Sequence, residues 1–136
     1  MSRSRVEKYI PKAIDTIDNF FLQEIKKLYP QLAQKSIPSE YNGYISAFGA
    51  SIMQSGLKPT LALYENENSN SQKAKKLLPQ TILKILDEET KESSLLRYVI
   101  NSKEDKNYLK QKILDISIAI KLSIRTFKLD KGEQNE

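Results

Sequence analysis

The sequence predicts an all-α fold: a compact bundle of about six helices, with long first and last helices packed around a buried corner at Gly56. Three observations carry this. Apolar residues recur every three or four positions over most of the chain, the spacing that lines one face of a helix. Four glycines and five prolines are few for the tight turns of an all-β chain, while the abundant Leu, Ile, Lys, Glu and Gln favour or tolerate helix. Residues 51–64, SIMQSGLKPTLALY, read as one helix stopping and another starting. Gly56 stands where a left-handed residue ends a helix, with Ile52 and Leu57 placed to touch in a Schellman arrangement. Pro59 suits the first position of the next helix, where its missing N–H costs nothing. Residues 61–64 are apolar on every side, which a short helix tolerates when buried.

A chain of 136 residues fits a single domain, 1–136, long enough for one core. Residues 1–5 and 131–136 are expected to be disordered, and 65–72, ENENSNSQ, to form a mobile polar loop. With 39% apolar and 29% charged residues the composition is that of an ordinary folded protein. No apolar run approaches the roughly 20 residues that span a bilayer, and the basic start lacks the apolar core of a signal peptide. The cytoplasm is the simplest compartment, with no membrane partner. The net charge of +5 leans towards anionic partners.

The first helix is a long one, with a stripe of Val6, Ile10, Ile14, Ile17, Phe21, Ile25 and Leu28. Pro11 either starts that helix or kinks its first turns, and Pro30 closes or bends its far end, though Leu32 continues the stripe. SIPSE, residues 36–40, reads as the next helix start, with Pro38 in the first turn. Tyr41, Ile45, Phe48 and Ile52 line that second helix. Gly43 and Gly49 within it suggest close helix–helix approach, and Tyr41 and Tyr44 suit packing better than stacking on bases. SNSQ at 69–72 fits a capping box for a third helix carrying Ala74, Leu78, Ile82 and Ile85. Pro79 should kink or split it. Asp87, Glu88 and Glu89 form a solvated acidic end, because consecutive helical residues do not face one another as metal ligands must. A short helix around Leu95, Leu96, Val99 and Ile100 follows. SKED at 102–105 caps the last long helix.

That last helix has two apolar stripes. Leu109, Ile113, Ile116, Ile120, Ile124 and Phe127 make one, and Leu114, Ile118 and Leu122 make another roughly opposite. A helix apolar on two faces is sandwiched, inside the domain or between this chain and a partner. Leu114, Ile118 and Leu122 are therefore candidates for a subunit interface. Between the stripes runs a basic line of Lys110, Ser117, Lys121, Arg125 and Lys128, with Asp115 and Asp130 on the other polar strip. Lys121, Arg125 and Lys128, with Lys110, are the first candidates for phosphate contacts. Lys73, Lys75 and Lys76 are the second, since they cluster at a helix N-terminus against the dipole.

Catalytic machinery is missing from the residue inventory. Without histidine or cysteine no common triad, thiolate or imidazole metal site can be built, and no glycine-rich phosphate loop is present. The residues point to a non-enzymatic binding or assembly module with no cofactor and no metal.

The chain resembles the small helical subunit of the type III-B CRISPR effector, the Cmr small-subunit family. The resemblance rests on EYNGY at 40–44, IMQSGL at 52–57 running into TLAL at 60–63, and more weakly on LLRYVI at 95–100 followed by Tyr108 and a long terminal helix. It extends over about 12–128. The family's last helix often carries a tryptophan followed by a basic pair, whereas this chain has no tryptophan and only Arg125 near that place. Pro59 stands where glutamine or a small residue is usual. The resemblance implies a structural subunit of a ribonucleoprotein, stacked with further copies of itself and other effector subunits beside the guide and target RNA. Sequence would then be read by base pairing, leaving shape and charge to the protein. The rival is a helical protein–protein adaptor that touches no nucleic acid, its lysines paired with acids at i±4. A free-standing DNA-binding helix-turn-helix fits poorly, because LALY at 61–64 is too apolar to read base edges.

Overall fold

The structure is a computed structural model and describes residues 3–66 and 70–130. Its helices are α1 (Arg3–Glu7), α2 (Ile10–Thr16), α3 (Leu22–Leu28), α4 (Tyr41–Ser55), α5 (Leu57–Tyr64), α6 (Asn70–Leu86), α7 (Leu95–Asn101) and α8 (Lys106–Ile124). The fold is an all-α bundle. Its hub is α8, which packs on α1, α2, α4 and α6 and buries Leu109, Ile113, Ile116, Ile120 and Ile124 in the core.

The first helix is interrupted twice, each time for a local reason. Pro11 cannot donate to Glu7 and its ring crowds that carbonyl, so the chain breaks at Lys8 and Tyr9 and restarts as α2. α1 begins at Arg3, within the stretch expected to lie outside the fold. Between α2 and α3 a π-helical turn, Ile17–Phe21, carries the helix on without a break, the Leu22 N–H bonding to the Ile17 carbonyl five residues back. The wider turn rotates the buried face. Ala13, Ile17, Phe21, Leu22 and Ile25 are in the core, while Ile10 and Ile14 of the expected stripe are half-buried.

SIPSE does not open a helix. Ser36–Pro38 is a short strand, β1, pairing in parallel with β2 (Lys128–Asp130) in the register Ser36↔Lys128, Ile37↔Leu129 and Pro38↔Asp130. α4 starts three residues further on, with all four residues of its predicted stripe buried.

The corner at Gly56 has a tighter geometry than a Schellman motif. Gly56 sits at φ +99° and ψ 163°, outside the left-handed helical region, and is at once the last cap of α4 and the first of α5. Its N–H bonds to Ile52 O at 3.0 Å and its carbonyl accepts from Thr60 N at 3.3 Å. One residue closes one helix and opens the next, in a region of φ/ψ space almost confined to glycine. Pro59 is therefore the third residue of α5 rather than the first, still within the turn whose N–H groups lack helical partners. Leu57 and Leu61 are buried, but Ala62 and Leu63 face solvent, so α5 is not apolar-buried all round.

Pro79 does not split α6, which runs unbroken through it; Thr81 Oγ1 donates to Leu77 O at 2.7 Å one turn away. The α6 cap expected at Ser69 lies outside the described residues. Glu65, just past α5, caps α7: its carboxylate accepts from Ser94 Oγ at 2.7 Å and Leu96 N at 3.0 Å. α8 begins later than SKED suggests, with Asp105 as N-cap accepting from Tyr108 N at 2.9 Å.

Candidate RNA and subunit interface

Along α8 the buried stripe is where the sequence puts it, and the second stripe is not enclosed. Leu114 and Ile118 are half-buried, and Leu122 is 39% exposed. Leu114 and Ile118 form one wall of a groove of about 480 Å³, and Ile45, Gly49, Ala50 and Met53 of α4 form the other. Met53 is 67% exposed. A Cβ added at Gly43 or Gly49 would meet nothing within 4 Å, so these glycines do not serve close helix approach. They leave an open face instead. The second wall escaped the sequence reading, although its signal was present: α4 contains no charged residue in its whole length, YNGYISAFGASIMQS.

Lys121 and Arg125 stand one turn apart on α8, and the helix carries the basic line no further. Lys121 lines the groove and Arg125, the C-cap residue of α8, is exposed. Lys110 is half-buried on the same face of α8, about three turns before Lys121. Among the described residues none of the three has a carboxylate within ion-pair distance. Ser117 is buried at the floor of the groove, its hydroxyl donating to Leu114 O at 2.8 Å, and takes no place in the exposed basic line. Lys128 is off the line because the helix stops at Ile124 and the chain turns into β2 opposite Ser36. On α6, Lys73 is exposed, and the Lys75 ammonium lies 5.3 Å from the centroid of the Tyr44 ring, facing α4 rather than α8. Lys76 is half-buried beside them.

Tyr41 and Tyr44 behave as packing residues. Tyr41 is fully buried, its hydroxyl donating to Ala74 O at 2.9 Å, and Tyr44 meets it edge-on at 5.4 Å. Burial, reinforced by the neighbouring phenols, pushes the Tyr41 hydroxyl well above the ordinary tyrosine range.

Acidic residues are placed for structure. Asp115, expected on a solvated strip, is buried at 2% exposure because α1 crosses it. Its Oδ2 takes the Arg5 Nε–H at 3.0 Å and its Oδ1 takes Gln111 Nε2 at 3.0 Å. Asp87 accepts from the Tyr98 hydroxyl and from Glu89 N, and Glu88 pairs with Lys12 at 3.1 Å. Among the described residues no group of acids converges to hold a metal ion, and no helix is long and apolar enough to cross a membrane.

The chain thus presents a largely apolar groove with Lys121 at its edge and Arg125 one turn beyond. No curated protein and no solved structure matches it. A family of CRISPR-associated proteins, Cas_Cmr5, matches residues 16–121, which include the π turn, the corner, the groove and Lys121. The chain belongs to that family, the small helical subunits of the type III-B CRISPR effector.

Proposed function

We propose that this chain is a non-catalytic structural subunit of a cytoplasmic type III-B ribonucleoprotein, stacking with other subunits and with copies of itself and contacting the guide or target RNA. The observation that carries the RNA contact is the C-terminal half of α8. Lys121 and Arg125 lie one turn apart with no acid at i±4 and no carboxylate partner among the described residues. Unpaired cations on a rigid helix neutralise phosphates without reading bases. Lys110, Lys128, Lys73, Lys75 and Lys76 are further candidates for the same path. The groove between α4 and α8 supports the subunit contact, with Leu114 and Ile118 on its α8 wall; Leu122, exposed but outside the groove lining, is a further candidate.

The test is the triple variant Lys121→Glu, Arg125→Glu and Lys128→Glu, assembled on guide plus target RNA across a salt titration. The reading expects weaker assembly and a shallower dependence on salt, since fewer counterions are released per complex. Identical behaviour of variant and wild type at every salt concentration would favour the adaptor that touches only protein.

A further inference from the structure

A second surface on α8 lies at its opposite end and has the composition of a nucleotide site. Where α1 crosses the start of α8, Arg5, Lys8, Tyr9, Tyr108, Lys112 and Asp115 line a cleft of about 170 Å³. That is several times the ~30 Å³ share of one water molecule, the scale of one planar ring system rather than of a helix. Each tyrosine ring carries an ammonium: Lys8 lies 5.2 Å from the Tyr9 centroid and Lys112 lies 4.5 Å from the Tyr108 centroid. Tyr108 is 55% exposed, and its hydroxyl has no hydrogen-bond partner among the described residues.

The charges of the wall are arranged for an anion. Three cations meet two carboxylates: Asp115, buried with both oxygens already engaged, pairs with Arg5, and Glu104 pairs with Lys112, which leaves Lys8 without a carboxylate partner among the described residues. Asp115 repels little and holds Arg5 in place. It uses only the Nε–H of Arg5, leaving the outer N–H groups of the guanidinium, the fork that fits phosphate oxygens, without a partner among the described residues. Burial would lower the Lys112 ammonium, but Glu104 at 3.1 Å outweighs it and holds the pKa above its ordinary value, so Lys112 stays charged. Asp115 is buried but Arg5 is half exposed, so the pair positions a donor at the mouth of the cleft.

We propose that this cleft binds one nucleotide of a single-stranded RNA, the base stacking on Tyr108 beside Tyr9 and the phosphate held by Arg5 and Lys8. Cationic grooves interleaved with aromatic platforms are how proteins hold single strands without regard to sequence. The proposal rests on the reading that the chain contacts RNA, but on residues separate from Lys121 and Arg125.

The test is fluorescence anisotropy of a labelled oligouridylate with the full chain and its Tyr108→Ala, Tyr108→Phe and Lys8→Ala variants. Y108A should weaken binding roughly five- to a hundredfold, the loss of one stacked base. Y108F should stay within about twofold of wild type, and K8A should weaken binding less as salt rises. Tyr108 is exposed, so Y108A should keep the wild-type melting curve. Excess uridine monophosphate that competes shows a site for free nucleotide, and failure to compete shows a site that needs the strand; the shared base-and-phosphate chemistry holds in both. Y108A binding within twofold of wild type overturns the proposal, as does a wild-type chain that fails to bind the strand or is blocked equally well by polyglutamate. K121E/R125E in the same assay separates the two surfaces: loss there with none at Y108A leaves the phosphate contacts standing and removes the cleft.

Discussion

Replacing Gly56 by alanine and Gly49 by alanine should move stability in opposite directions, although the substitutions are chemically identical. At Gly56 the backbone is at φ +99° and ψ 163°, and an added Cβ would meet Pro59 Cδ at 3.6 Å, an ordinary contact. Steric collision therefore contributes nothing, and the penalty is that of holding an L-residue in a glycine-only conformation, about 1–3 kcal/mol. Gly49 is the reverse case. It lies inside α4 with open space at its Cβ position, so alanine there adds helix propensity without strain, about 0.5–1 kcal/mol of stabilisation. For a domain of this length 1 kcal/mol corresponds to about 3–4 °C in melting temperature. G56A should then melt about 3–12 °C below wild type and G49A about 2–4 °C above it, read by helical circular dichroism. G56A melting with wild type would show that the corner relaxes into an ordinary turn. A lower melting point for G49A would show that α4 has a close neighbour on its open face.

Other consequences test the core and the caps. Tyr41→Phe removes the buried hydroxyl's bond to the Ala74 carbonyl, so it should lower stability by about 0.5–1.5 kcal/mol, as a shift in urea midpoint at unchanged slope. The folded state holds the Tyr41 proton above its ordinary pKa of 10.0, while the unfolded chain releases it there. The stability this residue confers is intact below about pH 10 and falls as pH rises towards the folded value. The difference in tyrosinate absorbance between wild type and Y41F should therefore appear only as helical signal is lost; its appearance in fully helical protein would contradict the burial. Glu65→Ala should cost about 1–2 kcal/mol and speed hydrogen exchange at the Leu96 amide, and unchanged protection there would show that Ser94 alone caps α7.

What the sequence could reveal was set by distance along the chain. The stripe of Tyr41, Ile45, Phe48 and Ile52 is a local periodicity, and all four residues are buried. Pairing of Ser36 with Lys128 is not local. SIPSE satisfies the signals of a helix start, and only the arrival of β2 from the far end of the chain makes it a strand. The same event takes Lys128 off the α8 line. Asp115 looked like any solvated carboxylate because its partner Arg5 is more than a hundred residues away. The groove was half legible: Leu114 and Ile118 stood out by spacing, but their counterparts on α4 stood out only by the absence of charge. Hydrophobic pattern searches pass over that signal because small uncharged residues score as neither core nor surface.

That absence has a physical meaning. Exposed positions of a helix accept lysine or glutamate at almost no cost in stability, and charge there keeps a surface from associating. α4 leaves Gly43, Ser46, Ala47, Ala50, Met53 and Gln54 exposed with not one charge among them, whereas the flanks of α8 carry Lys110, Lys112, Lys121 and Arg125. Folding alone has no use for that contrast, since the buried stripe of α8 forms the core whatever the outer face bears. A surface covered by another subunit does use it. If the proposed subunit contact forms here, small residues would let a neighbouring backbone come close, the half-buried Leu114 and Ile118 would gain from losing water, and the cations would stay at the margins, open to phosphates. On this argument α8 is a beam with three separable faces, and variants on its two outer surfaces should change assembly and RNA contact while leaving the melting of the isolated chain almost untouched.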